Sequence, residues 1–157
     1  MIPTVEWKNG EVRLLDQSRL PGTVEFLDCR DYRMVADAIR HLKVRGAPAI
    51  GVTAAMGVAL GAQSVATTSY DEFAKAVTGI CDELAATRPT AVNLFWALER
   101  MKRKLVELRT KPVSEIKRAL IEESQRILDE DIAMNKAMGK HGAALVKSGQ
   151  TILTHCN

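Results

Sequence analysis

Val44-Arg45-Gly46-Ala47-Pro48-Ala49-Ile50-Gly51 is the stretch around which this chain is organised. A cation and a glycine stand directly before a proline that can open a helix, and the residues that follow are small and apolar. Proline suits the first helical position, because its missing N–H is one of the donors left unpaired there. The remaining free N–H groups and the positive dipole end attract an anion. Arg45 adds a full charge in a forked geometry that matches phosphate oxygens. The segment reads as a phosphate seat. It is not a Walker A loop, since no Gly-Lys-Ser or Gly-Lys-Thr follows, and Gly46 and Gly51 lack the glycine spacing of the dinucleotide fingerprint. Helices also begin after Arg-Gly without binding anything, so spacing alone leaves an ordinary helix start open.

Downstream, residues 48–62 form the longest apolar run, too short and too rich in Gly and Ala for a membrane span. Gly57 and Gly61 fall one turn apart, which lets a second backbone come close, so this helix is expected at the centre of the domain. Upstream, residues 4–8 alternate, Asn9-Gly10 is the favoured two-residue hairpin turn, and residues 11–16 return with Val12 and Leu14. Leu20-Pro21-Gly22 is a turn, and residues 23–27 offer a third strand. Asp31 can then cap a helix with Met34, Val35, Ala38, Ile39 and Leu42 on one face.

Past the central helix, Thr68 or Ser69 starts another, with Phe73, Val77, Ile80, Cys81 and Leu84 inward; Cys81 on this stripe reads as core. Arg88-Pro89 breaks it, and Thr90 is placed to cap a helix through Leu94, Leu98, Met101 and Leu105. Ser114 is placed to cap a long helix carrying Ile116, Leu120, Ile127, Ile132, Met134 and Met138 out to about Ala144. Thr151-Ile152-Leu153-Thr154-His155 reads as a short buried strand. It has no crossover helix after it, and so resembles the first strand of a further domain. Chemistry gathers at the carboxyl ends of such strands, where a thiol such as Cys156 can act as acid, base or nucleophile. A lone cysteine is more often a packing residue.

Composition narrows the function classes. The 157 residues suit one ordinary domain with a real core. A net charge of +3 is too mild for a nucleic-acid binder, and 4% aromatic residues leave little for stacking on single strands. Lys102-Arg103-Lys104 reads as a solvated helix face. The cysteines Cys29, Cys81 and Cys156 are odd in number and form no CxxC pair, which suits a reducing compartment such as the cytoplasm. No zinc-ligand cluster is visible, and Glu6, Lys8 and Glu11 argue against a secretory peptide. His41 lies by a helix end, His155 points opposite to Cys156 on an extended strand, and His141 ends the long helix; all three read as structural.

Arg45-Gly46-Ala47-Pro48-Ala49-Ile50-Gly51, Arg88-Pro89-Thr90-Ala91-Val92-Asn93-Leu94 and Thr154-His155-Cys156-Asn157 together resemble the signatures of methylthioribose-1-phosphate isomerases. That superfamily also holds ribose-1,5-bisphosphate isomerases and regulatory subunits of a translation-initiation exchange factor. Glu6-Trp7, Leu14-Leu15-Asp16-Gln17, Leu20-Pro21 and Glu130-Asp131-Ile132 with Asn135 resemble the methylthioribose branch.

The resemblance implies an α+β fold: a small antiparallel N-terminal sheet plus a helical bundle over residues 1–148. Residues 149–157 would then be the first strand of a truncated Rossmann-like domain. It implies an aldose–ketose isomerase of methionine salvage that converts S-methyl-5-thioribose 1-phosphate to the ribulose 1-phosphate. Such an enzyme is a homodimer without metal or cofactor, and without a nucleic-acid or membrane partner. Arg45, Gly46 and Ala47 match the substrate-contacting segment, Arg88 a second substrate arginine, and Cys156 the catalytic cysteine. The family's catalytic aspartate has no counterpart within these residues, so the chain by itself is expected to be inactive. Ribose-1,5-bisphosphate isomerase, or a non-catalytic module that binds sugar phosphate or dimerises, stands as the alternative.

Overall fold

The computed structural model describes residues 2–155. Its fold is α+β, a three-stranded antiparallel sheet followed by five α-helices. Asn9 and Gly10 take φ of 53° and 81°, the left-handed pair that a two-residue hairpin requires. They join β1 (Val5–Lys8) to β2 (Glu11–Leu15), with Val5 opposite Leu14 and Trp7 opposite Val12. β3 (Phe26–Cys29) pairs on the other side of β2, with Val12 opposite Cys29. The two-residue period puts Val5, Val12, Leu14 and Cys29 on the buried face. On the opposite face Arg13 lies between its cross-strand neighbours, with Nε 3.8 Å from Glu6 and 3.7 Å from Asp28.

The third strand lies later than the expected residues 23–27. A ladder forms only opposite a partner, and β2 ends at Leu15, which pairs with Phe26. After one more bond, from Asp16 N–H to the Glu25 carbonyl at 2.9 Å, the chain turns into a 3-10 helix at Gln17–Arg19. Residues 23–24 therefore have no strand to pair with.

Asp31 caps α1 (Tyr32–Arg40), its carboxylate accepting from the Arg33 N–H at 2.7 Å. Val35, Ala38 and Ile39 are buried as expected, whereas Met34 and Leu42 are exposed. Leu42 lies beyond the helix end, in a left-handed conformation with φ of 58°. Ser69 caps α3 (Tyr70–Ala85), which turns Phe73, Val77, Ile80, Cys81 and Leu84 inward.

Between them, α2 (Ala47–Ser64) packs against all four other helices and against β1 and β2. Residues 50–62 are buried without interruption, the mark of a helix enclosed on all sides. It is longer than the apolar run suggested. Its 18 residues would pass for a membrane span by length and composition, but 72% of them are buried inside the protein.

Two helix starts differ from expectation. α4 (Val92–Glu107) begins after Ala91, not Thr90, because the Ala91 N–H closes a turn onto the Arg88 carbonyl at 3.0 Å and Thr90 falls inside that turn. α5 (Val113–Ala143) begins after Pro112, so its cap lies two residues before Ser114. The earlier start aligns Val113 with Ile116 and Leu120 on one buried stripe.

Residues 151–155, expected as a buried strand, are exposed and carry no regular structure. The sheet order β1-β2-β3 offers them no neighbour among the described residues. Without one, their backbone donors and acceptors face solvent.

Candidate functional site

The start of α2 is shaped by its backbone before any side chain acts. Gly46, at the N-cap, has φ of 93° and ψ of 127°, a conformation that L side chains rarely adopt. No side chain caps the helix and no acidic residue lies in its first turn. The N–H groups of Ala47 and Ala49 therefore have no helical acceptor, and nothing on the helix neutralises its positive end. Two contacts from Gln17 tie the preceding loop to the sheet edge: its N–H donates to the Lys43 carbonyl at 2.9 Å, and its Nε2 to the Arg45 carbonyl at 3.3 Å. The left-handed Leu42 turns its carbonyl to accept from Arg45 Nε at 3.1 Å. Arg45 is aimed by these bonds.

Arg88 arrives from the turn between α3 and α4. Thr87 anchors that turn, its buried hydroxyl donating to the Leu84 carbonyl at 2.6 Å. Arg45, Gly46, Ala47 and Arg88 all line one open cleft of about 630 Å³, together with Thr90 and Asn93. The lining holds no carboxylate, and among the described residues neither arginine has an ion-pair partner. The starts of α2 and α4 converge here too. A Cβ on Gly51 would lie 2.8 Å from the Asn93 carbonyl oxygen, so glycine is what lets the two helices approach this closely. Two guanidinium groups and two helix starts then face the same space, an arrangement suited to an anion with several oxygens.

A second hollow, of about 420 Å³, adjoins the first between α2, α4 and α5. Val92 and Asn93 line both. Its wall is largely apolar, with Trp96, Ile127 and Met134, and it includes the carboxylates of Glu130 and Asp131. Behind it stands an ion-pair network that the sequence reading missed. Arg100 Nε donates to Glu123 Oε1 at 2.6 Å, and its two terminal nitrogens fork onto Glu130, one of them at 2.9 Å from Oε1. The guanidinium also lies 5.6 Å from the centre of the Trp96 ring. The hydrogen bonds from Arg100 hold the Glu130 carboxyl below its usual range, and the Glu130 bonds raise Arg100 in turn. A signal was present: Glu123 sits on the Ile116, Leu120, Ile127 stripe, and a carboxylate on an apolar stripe announces a buried partner.

Other candidates lie elsewhere. Cys156 falls outside the described residues. Cys29 and Cys81 are buried, and loss of hydration pushes their thiols up to about 11 and about 12, so both remain neutral and unreactive at ordinary pH. His41 ends α1 with Nδ1 2.8 Å from Asp37 Oδ1 and does not line the cleft. His141 and His155 are exposed. Among the described residues, no group of three or more His, Cys, Asp or Glu is placed to hold a metal ion.

Comparison with known proteins places this geometry in context. The sequence is 52% identical over 154 residues to the methylthioribose-1-phosphate isomerase of Geobacter sulfurreducens, and 53% identical over 156 residues to that of Syntrophotalea carbinolica. These matches take in 98% and 99% of this chain but 44% and 45% of the relatives, so the chain spans less than half their length. The fold is similar to the crystal structure of 5-methylthioribose 1-phosphate isomerase from Pyrococcus horikoshii, with a TM-score of 0.91 and 40% identity over 95% of this chain and 42% of that one. It is also similar to the translation initiation factor eIF-2B subunit delta from A. fulgidus, with a TM-score of 0.85 and 38% identity, covering 95% of this chain and 43% of that one. Residues 43–157, from just before the Arg45 segment onward, match the initiation factor 2 subunit family, and the chain belongs to that family.

Proposed function

We propose that this chain is the phosphate-gripping part of an aldose–ketose isomerase that acts on S-methyl-5-thioribose 1-phosphate in the cytoplasm. The observation that carries the reading is the convergence of Arg45, Arg88 and two helix starts on one cleft without a carboxylate. Relatives that share about half of its residues bear the name of that isomerase.

The chemistry explains why such a grip matters. An ordinary aldose opens its ring at a free anomeric hydroxyl, but here the anomeric oxygen carries phosphate. The ring opens only if a proton reaches the ring oxygen while the phosphoryl group is held in place. Arg45, Arg88 and the Ala47 and Ala49 N–H groups do the holding, and they stabilise negative charge as it shifts during the reaction. Net isomerisation then moves hydrogen from C2 to C1. Cys156 serves as one proton-transfer group, and a carboxylate beyond residue 157 serves as the other. The reaction needs neither metal nor cofactor in this scheme, and the active species is a homodimer.

Losing one member of a coupled acid–base pair typically costs about 10²–10⁴-fold in rate. The 157-residue chain is therefore inactive alone, whereas the complete protein turns the substrate over. In the complete protein, Arg88→Ala and Cys156→Ser each lower kcat/KM by at least about 100-fold. Turnover by the short chain at the rate of the complete protein would refute the division of labour. A complete protein inert towards this sugar phosphate would refute the reading itself.

A second reading has its own observation. Val92, Leu145 and Leu153 are 78%, 80% and 95% exposed, apolar surface that a non-catalytic, dimerising module would cover. A chain that stays monomeric in size-exclusion chromatography at high concentration counts against it.

A further inference from the structure

We infer that Gln17 is a positioning residue: from outside the cleft it holds the Arg45–Gly46 peptide with its N–H turned out beside those of Ala47 and Ala49. The inference rests on the isomerase reading above and adds what keeps the phosphate grip in shape.

This peptide has two orientations open to it. The Gly46 carbonyl accepts from the Ile50 N–H at 3.0 Å and so points along α2 towards its C-terminal end. In an extended residue of negative φ, the N–H points to the same side as the carbonyl. At φ of 93° the Gly46 N–H is turned to the opposite side, out from the helix start. It finds no acceptor among the described residues. A trans peptide sets its C=O and N–H on opposite sides, so the Arg45 carbonyl faces back, away from where an anion would sit. Flipping the peptide would return Gly46 to a negative φ and put a carbonyl oxygen in place of the donor. That oxygen would repel phosphate. Glycine visits both signs of φ about as readily, so Gly46 permits the useful orientation without selecting it.

Gln17 does the selecting. Its Nε2 donates to the Arg45 carbonyl at 3.3 Å, a bond that the flip would break. Gln17 does not line the cleft, so it acts without touching the anion. Its own place is fixed on both sides. Its N–H donates to the Lys43 carbonyl at 2.9 Å. The buried Asp16 carboxylate before it accepts from the Ser18 N–H at 3.0 Å and the Ser18 hydroxyl at 2.5 Å, which locks the 3-10 turn at the end of β2.

The test measures KM and kcat for S-methyl-5-thioribose 1-phosphate on the complete protein. Gln17→Met keeps the side-chain length and the backbone bond to Lys43 but loses the donor. Its KM should rise at least about 10-fold, the worth of a donor to a charged group. Its kcat should stay within about 3-fold, since the phosphate is held alike in substrate and transition state. A Cβ at Gly46 would meet nothing within 4 Å, so Gly46→Ala acts through φ alone and should raise KM by at least about 10-fold as well. The double variant separates positioning from packing. If both changes act on one peptide, Gln17→Met adds no more than about 2-fold to the KM of Gly46→Ala. An unchanged KM in Gln17→Met, a loss confined to kcat, or full multiplication of the two effects overturns the inference and leaves the isomerase reading standing. An unmodified protein inert towards this sugar phosphate brings down both.

Discussion

The two halves of α5, residues 113–127 and 128–143, both carry apolar side chains, and Met134 and Met138 prolong the stripe that runs through Leu120 and Ile127, yet the halves meet opposite fates. In the first half, Val113, Ile116, Leu120 and Ile127 are buried against the bundle. In the second, Ile132, Met134 and Met138 are 41%, 57% and 58% exposed. The reason is length. A helix of 31 residues extends for about 46 Å, whereas the 18 residues of α2 reach only about 27 Å. Apolar spacing shows which side of a helix can be buried, but a neighbour has to be there to bury it. The Arg100 network stands at the boundary between the halves, joining α4 to Glu123 on the buried side and Glu130 on the open side.

The sharpest way to break this contrast is Leu120→Ala in the buried half, which should cost about 2–5 kcal/mol in urea denaturation, since a fully enclosed leucine leaves a cavity. Glu123→Ala should cost about 3 kcal/mol by the same measurement, because it leaves Arg100 half-enclosed with one partner gone. Gly51→Ala tests the junction that the buried half helps to support. Its Cβ would meet the Asn93 carbonyl oxygen at 2.8 Å, so the helices must part, at about 1–3 kcal/mol and with weaker phosphate binding in a titration. Met138→Ala in the open half should change stability by less than about 0.5 kcal/mol. A cost there equal to that of Leu120→Ala would show that the second half is covered in solution and would erase the distinction.

Much of the fold was legible because its signals act over a few residues. Asn9-Gly10 specified the hairpin through backbone conformation, and Asp31 and Ser69 marked helix starts through side-chain acceptors. Where such a signal competed with packing, packing won. Thr90 and Ser114 are good caps, yet α4 and α5 begin where the turn at Arg88 and the burial of Val113 put them. The strand expected at residues 151–155 shows the same limit, because β-propensity without an adjacent strand leaves the backbone unpaired.

The sequence by itself determined the character of α2 and the anion-attracting start that Arg45 and Gly46 give it, since small residues, a left-handed glycine and a nearby charge do their work locally. Only the tertiary structure decided that Arg88, far along the chain, faces the same cleft, and that an apolar hollow opens beside it. That meeting depends on α2 and α4 touching at Gly51 and Asn93, and no local pattern encodes a contact between two helix backbones.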